Sequence, residues 1–368
     1  MIFLKKLKIN ILITVVLSIL IVSCNTYRPA IYKDSFLTIE SDIPILILKG
    51  SSSKIAVHYS NLMKKYMNYL INEYLQKIIS HFALSKTELL SYSRLMEKHI
   101  PDNYIQQMKI LSDATKIPYE DILLANTLVD IQKKIMSCTT FIKTNGCNND
   151  FKGPIFARNL DYQSLNILHK YSLIVIFSEE GKIPFASITW PCLWGVLSGI
   201  NKYGLTVAVN EVYSGNTSFY APPYAFILRE ILENARNTEE AEFILRNRKI
   251  STRLNVTISD STQSFVFEVG NNYIKKIFPE NGFIFATNNF KEDIVIEKFN
   301  RLNYLNSQIK SDNMNCIKIK DILQKTRLKN LNIQSLIFYP SILKVDISFG
   351  KPDRKELQFK LIDLNKFL

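Results

Sequence analysis

The chain is 368 residues long, with 47% hydrophobic and 11% aromatic residues. A chain of this composition can bury a sizeable core, as one large domain or two ordinary ones, which excludes an intrinsically disordered protein. Its formal net charge of +13 comes from lysines spread among isoleucine and asparagine, so we expect solvated lysines and no nucleic-acid partner.

The N-terminus predicts an export signal. A basic stretch at residues 5–8 precedes an uncharged, mostly apolar run over residues 9–22, which is short for a membrane span and suits a signal peptide. The run ends in Ile-Val-Ser-Cys at 21–24, which resembles a bacterial lipobox, where the cysteine thiol carries diacylglycerol. We predict a lipoprotein signal peptide over residues 1–23 and lipidation of Cys24, with an uncleaved anchor or plain secretion as alternatives. Lipidation would hold the protein in the cell envelope, outside the cytoplasm and anchored to a membrane.

The region from residue 60 to residue 134 is predicted to be helical. Apolar residues recur every four positions from Leu62 to Phe82, the stripe of an amphipathic helix, with Ser60 as its N-cap. The segment Ser85-Lys86-Thr87-Glu88 has the pattern of a capping box and opens a second helix. Pro118, followed by a tyrosine and two acids, starts a further helix.

After residue 137 the pattern changes to short runs rich in Val, Ile, Phe and Thr. Turn residues such as Glu180-Gly181 and Tyr203-Gly204 separate the runs, which predicts strands. Helices interrupt them near Tyr224–Ala235, Thr238–Arg246 and Glu297–Ile309. Strands in runs with helices between them predict an α+β domain in which helices cover sheets.

Cys138 stands at the start of the first β-rich run and is the candidate nucleophile. The four histidines carry no flanking signature of a Cys/His protease, and no HExxH or paired Cys/His spacing predicts a metal site. Walker and dinucleotide-binding glycine patterns are absent as well, so we expect no cofactor. Cys147, Cys192 and Cys316 show no CxxC spacing and predict no particular disulfide. The simpler alternative is that Cys138 is a small core residue.

A cysteine can act without a histidine when its own α-amine is the base. This route requires cleavage of the Ser137–Cys138 bond, so that Cys138 becomes an N-terminus. An α-amine has a pKa of about 7.7 to 8.0 and a thiol one of about 8.5, so the two groups titrate close together near neutral pH. One residue then supplies nucleophile and base, as in enzymes with an N-terminal threonine.

Several short segments follow one another in an informative order over most of the mature chain. They are Cys138-Thr139-Thr140-Phe141, Arg158-Asn159-Leu160-Asp161-Tyr162, the stretch from Gly199 to Leu205 leading to Asn210-Glu211, Asn255 to Asp260, Thr287-Asn288, Arg301 and Gln334 to Pro340. In this order they resemble the N-terminal-nucleophile cysteine amidases. This group contains acid ceramidase, N-acylethanolamine acid amidase, the bile salt hydrolases and penicillin V acylases (choloylglycine hydrolases), and the acyl-CoA:6-aminopenicillanic acid acyltransferases.

The resemblance implies a fold and a division of the chain. The fold is α+β, a four-layer αββα sandwich. A helical segment over residues 24–137 would stay packed on a catalytic part over residues 138–368 after cleavage between Ser137 and Cys138. The uncut precursor and the cleaved two-fragment protein would then share one fold.

The resemblance also implies a role for individual residues. Cys138 matches the nucleophile, Asp161 the carboxylate that holds the new α-amine, and Arg158 the guanidinium that favours the thiolate. Asn210 and Asn288 match the donors to the oxyanion that forms at the amide carbonyl. Without the resemblance, Arg158 and Asp161 are equally compatible with an ordinary ion pair, and Asn210 with a strand end.

Three further residues match the surroundings of the family's site. Arg301 matches a second buried arginine that braces it, although a solvated helix charge is the alternative. Glu211 matches an acid beside the site in the lipid amidases, and Tyr162 lies on the substrate side.

The function implied is a self-processing hydrolase of linear amide bonds that works through a thioester. Its expected partner is a small amphipathic N-acyl amine or lipid amide, with the membrane reached through the lipid anchor. An acyltransferase using the same thioester is one alternative, and a non-catalytic binding lipoprotein on this fold is another. A histidine-dependent cysteine protease is a third.

Overall fold

Two β-sheets form the framework of the protein. The computed structural model describes residues 26–146, 152–214, 217–270, 273–293, 301–309 and 316–368, and the predicted signal peptide, Cys24 and Cys147 lie outside them. The strands are β1 (Ala30–Tyr32), β2 (Ser35–Glu40), β3 (Ile43–Gly50), β4 (Met136–Lys143), β5 (Ile155–Tyr162), β6 (Leu173–Glu179), β7 (Phe185–Thr189), β8 (Ser198–Asn201), β9 (Thr206–Glu211), β10 (Leu254–Ser259), β11 (Ser264–Gly270), β12 (Tyr273–Ile277), β13 (Phe283–Ala286), β14 (Asn332–Tyr339), β15 (Lys344–Phe349) and β16 (Lys360–Asp363).

The first sheet has ten strands and the second has six. Their orders are β1-β2-β3-β6-β7-β8-β9-β10-β11-β12 and β13-β4-β5-β14-β15-β16. Strands β4 and β5 are antiparallel neighbours near the middle of the second sheet, and Cys138 lies opposite Leu160 in their register. The predicted runs beginning at Cys138 and ending at Tyr162 are therefore strands, as expected.

Helices cover both sheets. They are α1 (Ser52–Tyr69), α2 (Lys86–Glu97), α3 (Asp102–Thr115), α4 (Tyr119–Ile131), α5 (Tyr224–Asn234), α6 (Thr238–Arg246), α7 (Arg301–Ile309) and α8 (Cys316–Thr326); α1 continues through a π-helical stretch, Leu70–Leu75, into a last turn, Gln76–Ile79. Among the described residues, no helix combines the length and the apolarity that a membrane crossing requires.

The two predicted helix starts have different outcomes. The capping box that opens α2 is confirmed, because the Ser85 side chain accepts the Glu88 N–H while the Glu88 carboxylate accepts the Ser85 N–H. The prediction that Ser60 is an N-cap is wrong. Helix α1 begins at Ser52, and the Ser60 hydroxyl donates to the Ala56 carbonyl inside the helix. A serine can bond back to its own helix in this way, so the residue type alone did not fix the start.

The 24–137 segment, predicted to be helical, also contributes strands β1, β2 and β3 to the first sheet. Strand β3 lies parallel to β6, which follows residue 137 in the chain. Its apolar run is buried on both faces, with Leu46 and Leu48 in one core cluster and Ile45 and Ile47 in another. A run of this kind carries no alternation of apolar and polar residues, which is why the strand was not predicted.

Three apolar layers explain why these elements stack as they do. Ile45, Ile174 and Ala208 of the first sheet pack with Phe156 and Leu336 of the second. The outer face of the first sheet packs against α1 to α6, and the outer face of the second against α7 and α8. Burial of apolar surface on both faces of each sheet therefore produces the predicted α+β, four-layer αββα arrangement.

Candidate active site

Cys138 lies in β4, fully buried, with its sulfur facing the first sheet. The Nη2 atom of Arg158, from the neighbouring strand β5, donates to Sγ at 3.3 Å. Arg158 is fully buried and is fixed by β8 and β9, because it also donates to Ser198 Oγ at 2.7 Å, to the Val209 carbonyl at 2.8 Å and to the Leu197 carbonyl. The guanidinium therefore bridges the two sheets and is held against the sulfur.

Two opposing effects shift the pKa of the Cys138 thiol. Burial raises the pKa of the thiol, whereas the charges of Arg158 and Arg301 lower it. Burial is the larger effect, so the sulfur of the continuous chain is a neutral thiol at neutral pH. Exposure of the site would leave the two arginines to favour the thiolate.

Asn288 and Arg301 hold the peptide groups on the two sides of Cys138. The Asn288 Oδ1 atom accepts the Cys138 N–H at 2.9 Å and the Ser137 hydroxyl at 3.1 Å. Arg301, at the start of α7, donates to Asn288 Oδ1 at 3.1 Å, to the Cys138 carbonyl at 3.0 Å and to Thr139 Oγ1 at 3.3 Å. Arg301 is 2% exposed, so it is not the solvated helix charge that was the alternative.

The two asparagines predicted to bind an oxyanion direct their amide donors elsewhere in the continuous chain. Asn288 Nδ2 donates to the Glu211 carbonyl at 2.7 Å. Asn210 Nδ2 donates to the Ala286 carbonyl at 3.0 Å, while its Oδ1 accepts the Thr140 hydroxyl at 2.7 Å. Both side chains are buried near Cys138, but their donors link β9 to β13 and its continuation. Their oxyanion role stays a prediction.

Asp161 lies beside the site but is held from the other side of β5. It is opposite Ser137 in the strand register, and its carboxylate accepts the Leu328 N–H at 3.1 Å and Asn332 Nδ2 at 2.8 Å. Burial raises the pKa of Asp161 to about 6, and the charge of Arg301 opposes this shift. In the continuous chain the Cys138 N–H is bonded to Asn288, so binding of a new α-amine by Asp161 remains a prediction.

Glu211 and Tyr162 lie on the side of the N-terminal segment. Burial raises the pKa of Glu211 to about 8, and its Oε2 accepts the Lys134 N–H at 3.1 Å. The Tyr162 ring lies 5.1 Å from that of Trp190. These rings, with the π-helical stretch that follows α1 and with α4, border an apolar cavity of about 30 Å³. Its lining includes Leu70, Ile71, Tyr74, Leu75, Ala125, Leu128, Leu168, Pro191 and Cys192.

Sequence reasoning missed two residues of the site. The Tyr213 hydroxyl donates to the Met136 carbonyl at 3.1 Å, two residues before Cys138. Asp130, fully buried on α4, accepts the Tyr224 N–H at 3.2 Å, and burial raises its pKa to about 7. The closeness of Tyr213 to Glu211, two positions earlier in the sequence, is a signal that could have identified it. The burial of Asp130 depends on tertiary packing, which no local sequence pattern indicates.

In the described part of the chain, no histidine bonds the Cys138 sulfur. His58 and His169 bond Ser35 and Ser164, at 2.8 and 2.7 Å respectively. Within those residues, no three His, Cys, Asp or Glu side chains converge as they would to hold a metal ion. The partner of the Cys138 sulfur is an arginine.

The chain is similar in sequence to proteins from several organisms. The chain is 23% identical over 272 residues to the protein dcd1B of Dictyostelium discoideum, covering 66% of this chain and 53% of that one. It is 26% identical over 161 residues to the N-acylethanolamine-hydrolyzing acid amidase of Caenorhabditis elegans, covering 40% and 44%. The chain thus spans about half the length of these relatives. A solved structure of the Caenorhabditis elegans amidase ortholog is 21% identical, covers 55% of this chain and 93% of its own, and has a TM-score of 0.47.

The chain also matches a family model. The acyl-coenzyme A:6-aminopenicillanic acid acyl-transferase model matches residues 147–334, which is more than half of the 368 residues and includes Arg158, Asp161, Asn210, Asn288 and Arg301. The chain belongs to the acyl-coenzyme A:6-aminopenicillanic acid acyl-transferase family.

Proposed function

We propose that this protein is a self-processing amide hydrolase whose nucleophile is the thiol of an N-terminal Cys138. One observation carries the proposal. The sulfur of Cys138 is held by Arg158 at 3.3 Å while the N–H of the same residue is held by Asn288 at 2.9 Å. Both atoms of the cysteine that the chemistry uses are therefore fixed by buried polar side chains.

Self-cleavage uses the thiol of the uncut chain. The Cys138 sulfur bonds to the Ser137 carbonyl carbon, the carbon–nitrogen bond breaks, and the thiol proton passes to the nitrogen, which becomes the α-amine. Water then hydrolyses the Ser137 thioester, which leaves Ser137 as a C-terminal carboxylate and restores the thiol. Arg158 favours negative charge on the sulfur, and Arg301 fixes the Cys138 carbonyl during the exchange.

The cleaved protein applies the same chemistry to a separate amide. The free α-amine takes the thiol proton, the thiolate attacks the amide carbonyl, and the protonated amine supplies a proton to the leaving nitrogen. Asp161 holds the α-amine, and Asn210 and Asn288 turn amide donors to the oxyanion. Each such donor is worth about 2.7 to 4 kcal/mol of barrier. Water then releases the acyl group from sulfur.

The apolar cavity beside Tyr162 supports an acyl substrate. It lies between the π-helical stretch that follows α1, helix α4 and Trp190, and Tyr162 brings strand β5, which also carries Arg158, to its wall. Its lining has few groups that bind a polar chain, so a linear N-acyl amine or lipid amide is the favoured class. The family's relatives named as acid ceramidase and N-acylethanolamine-hydrolyzing acid amidase are amidases of such compounds by name.

Membrane tethering through Cys24 suits this substrate class. Tyr27 follows Cys24 by three positions and is already part of the fold, fully buried with its hydroxyl bonded to the Tyr171 carbonyl at 2.8 Å. A lipid on Cys24 would therefore hold the domain close against the membrane, where lipid amides reside. The proposed site is the cell envelope, outside the cytoplasm.

Acyl transfer is the second candidate function, favoured by the family to which the chain belongs. Hydrolysis and transfer share the thioester and differ in whether water or an amine accepts the acyl group. A lauroyl amide of aminomethylcoumarin, offered with and without hydroxylamine, separates them. Release of coumarin with laurate as the main product supports hydrolysis, and lauroyl hydroxamate in excess over laurate supports transfer.

The covalent intermediate provides the direct test. We expect acid-quenched protein to carry one acyl group on the fragment that starts at Cys138, detected by intact mass. Cys138→Ser should lose this adduct, whereas Cys192→Ser, which changes the second buried free cysteine among the described residues, should keep it. Coumarin release by a folded Cys138→Ser variant at the wild-type rate would refute the proposal.

A further inference from the structure

A second cavity opens where the two sheets end. Strand β12 is the last strand of the first sheet and β13 the first strand of the second, and the edge cavity lies between them. Val266 and Ile277 line it from the first sheet, and Ile284 and Ala286 from the second. Its volume is about 200 Å³. A dry cavity of about 150 Å³ binds benzene, so this one accommodates a ligand of about seven to nine heavy atoms.

The edge cavity has a polar end that lacks hydrogen-bond partners. Asn255 and Thr287 each have 2% of their surface exposed. The Asn255 Oδ1 and Thr287 Oγ1 atoms have no partner among the described residues. Asn255 cannot turn its amide around, because Nδ2 donates to the Thr287 carbonyl at 3.0 Å and to the Asn289 carbonyl at 2.9 Å. An acceptor fixed and buried in this way favours a ligand that donates a hydrogen bond.

A buried carboxylate stands at the same end. Glu268 lines the edge cavity, has 3% of its surface exposed, and accepts the Lys291 N–H. The nearby lysine ammonium groups are engaged with other acids, Lys275 with Glu292 and Lys291 with Glu280. Burial raises the pKa of Glu268, and the charge of Lys275, its neighbour in the register of β11 and β12, opposes this shift only in part. A cationic ligand at this end would place a positive charge directly against the carboxylate.

We propose that the edge cavity is a second ligand site, for a small primary amine with an apolar chain. The chain lies against Val266, Ile277 and Ile284, and the ammonium group donates to Glu268 and to the Asn255 and Thr287 oxygens. An alcohol has one O–H donor and would leave some of these three acceptors without a hydrogen bond. A carboxylate would be repelled by the charge of Glu268.

Occupancy of this site acts on the residue that holds the nucleophile. Asn255 bonds the carbonyls on both sides of Asn288, and Asn288 accepts the N–H of Cys138. A ligand that engages Asn255 and Thr287 therefore constrains the segment that positions Cys138. This coupling rests on the proposed function, whereas binding of the amine does not.

Binding is tested with n-hexylamine against n-hexanol and hexanoate, by titration calorimetry on the Cys138→Ser chain at pH 7.5. We expect hexylamine to bind at least tenfold more tightly than either control. Glu268→Gln should weaken hexylamine binding at least tenfold, and Glu180→Gln, the same change at an exposed acid outside the edge cavity, should leave it unaltered. Val266→Phe, which fills the cavity, should abolish binding.

Several outcomes would overturn this inference. They are no binding of hexylamine by the Cys138→Ser chain, equal binding of hexanol and hexylamine, or equal weakening by Glu268→Gln and Glu180→Gln. Ile277→Trp fills the cavity from a half-buried edge strand and serves if Val266→Phe does not fold. Retained binding in the folded filling variant would also exclude the edge cavity. None of these binding measurements depends on the chemistry of Cys138. A negative result would therefore overturn the second ligand site without bearing on the proposed function.

Discussion

Replacing Tyr104 by phenylalanine removes one hydroxyl from a buried cluster that joins the N-terminal segment to the catalytic part. The hydroxyl donates to Glu233 Oε2 at 2.7 Å. The ring lies 4.7 Å from the Arg229 guanidinium and stacks on Phe226 with centroids 5.3 Å apart. Phenylalanine keeps both ring contacts, so the substitution isolates the hydrogen bond.

The magnitude follows from the charge of the acceptor. A hydrogen bond to a charged group contributes about 1.5 to 3 kcal/mol, and the carboxylate oxygen left behind is buried. Glu233 keeps its contact with Arg229 Nε at 2.7 Å, so we expect Tyr104→Phe to lower the free energy of unfolding by about 2 kcal/mol. Urea unfolding at pH 7 measures this in the Cys138→Ser background, where the chain stays in one piece.

Tyr92→Phe is the matched control. Its ring also stacks on a phenylalanine, Phe219, at 4.2 Å, and it is only partly buried. We expect a change within about 0.5 kcal/mol. Equal losses in the two variants, or no loss in Tyr104→Phe, would refute the reasoning. In the cleaved protein, Tyr104→Phe should also release the N-terminal fragment at a lower urea concentration than the wild type.

Three further predictions concern the site. Burial raises the pKa of Glu211 from about 4.5 to about 8. Between these two pH values the folded chain keeps a proton on Glu211 that the unfolded chain has released. The free energy of unfolding should therefore fall as the pH rises from about 4.5 to about 8, by at most about 1.4 kcal/mol per pH unit. Glu211→Gln should flatten this fall in urea titrations, and an unchanged slope would contradict the assignment. Arg158→Lys should slow acylation of Cys138 at least about tenfold, since one pKa unit of thiolate stabilisation is about 1.36 kcal/mol; a folded variant with a wild-type acylation rate would count against it. Tyr213→Phe, which frees the Met136 carbonyl, should slow self-cleavage without lowering stability by more than about 1.5 kcal/mol, and wild-type cleavage kinetics on a denaturing gel would oppose that role.

The layered fold was predictable because its signals are local. Helix α6 matches its predicted bounds, Thr238–Arg246, and α5 matches its own to within one residue. Strand β3 was missed for the opposite reason. Its run from Ile43 is apolar on both faces, and a run without a period does not distinguish a buried strand from other apolar segments.

The candidate site was predictable in its members but not in its contacts. A period of two indicates which face of a strand a residue occupies, but it does not say which strand lies opposite. Arg158 reaches Cys138 because β4 pairs with β5, and its remaining donors find Ser198 and Val209 because β8 and β9 lie across the sandwich. The bonds of Asp161 to the segment after α8 depend in the same way on long-range packing.

The central claim is that Cys138 becomes an N-terminus through its own thiol. The most direct test is the intact mass and N-terminal sequence of the chain purified without residues 1–24, beside Cys138→Ser and Cys192→Ser, at neutral and mildly acidic pH. We predict a fragment that begins at Cys138 in the wild type and in Cys192→Ser, and one uncut chain in Cys138→Ser. A folded wild-type chain that stays uncut at every pH, or a Cys138→Ser chain cleaved as fast as the wild type, would contradict the account.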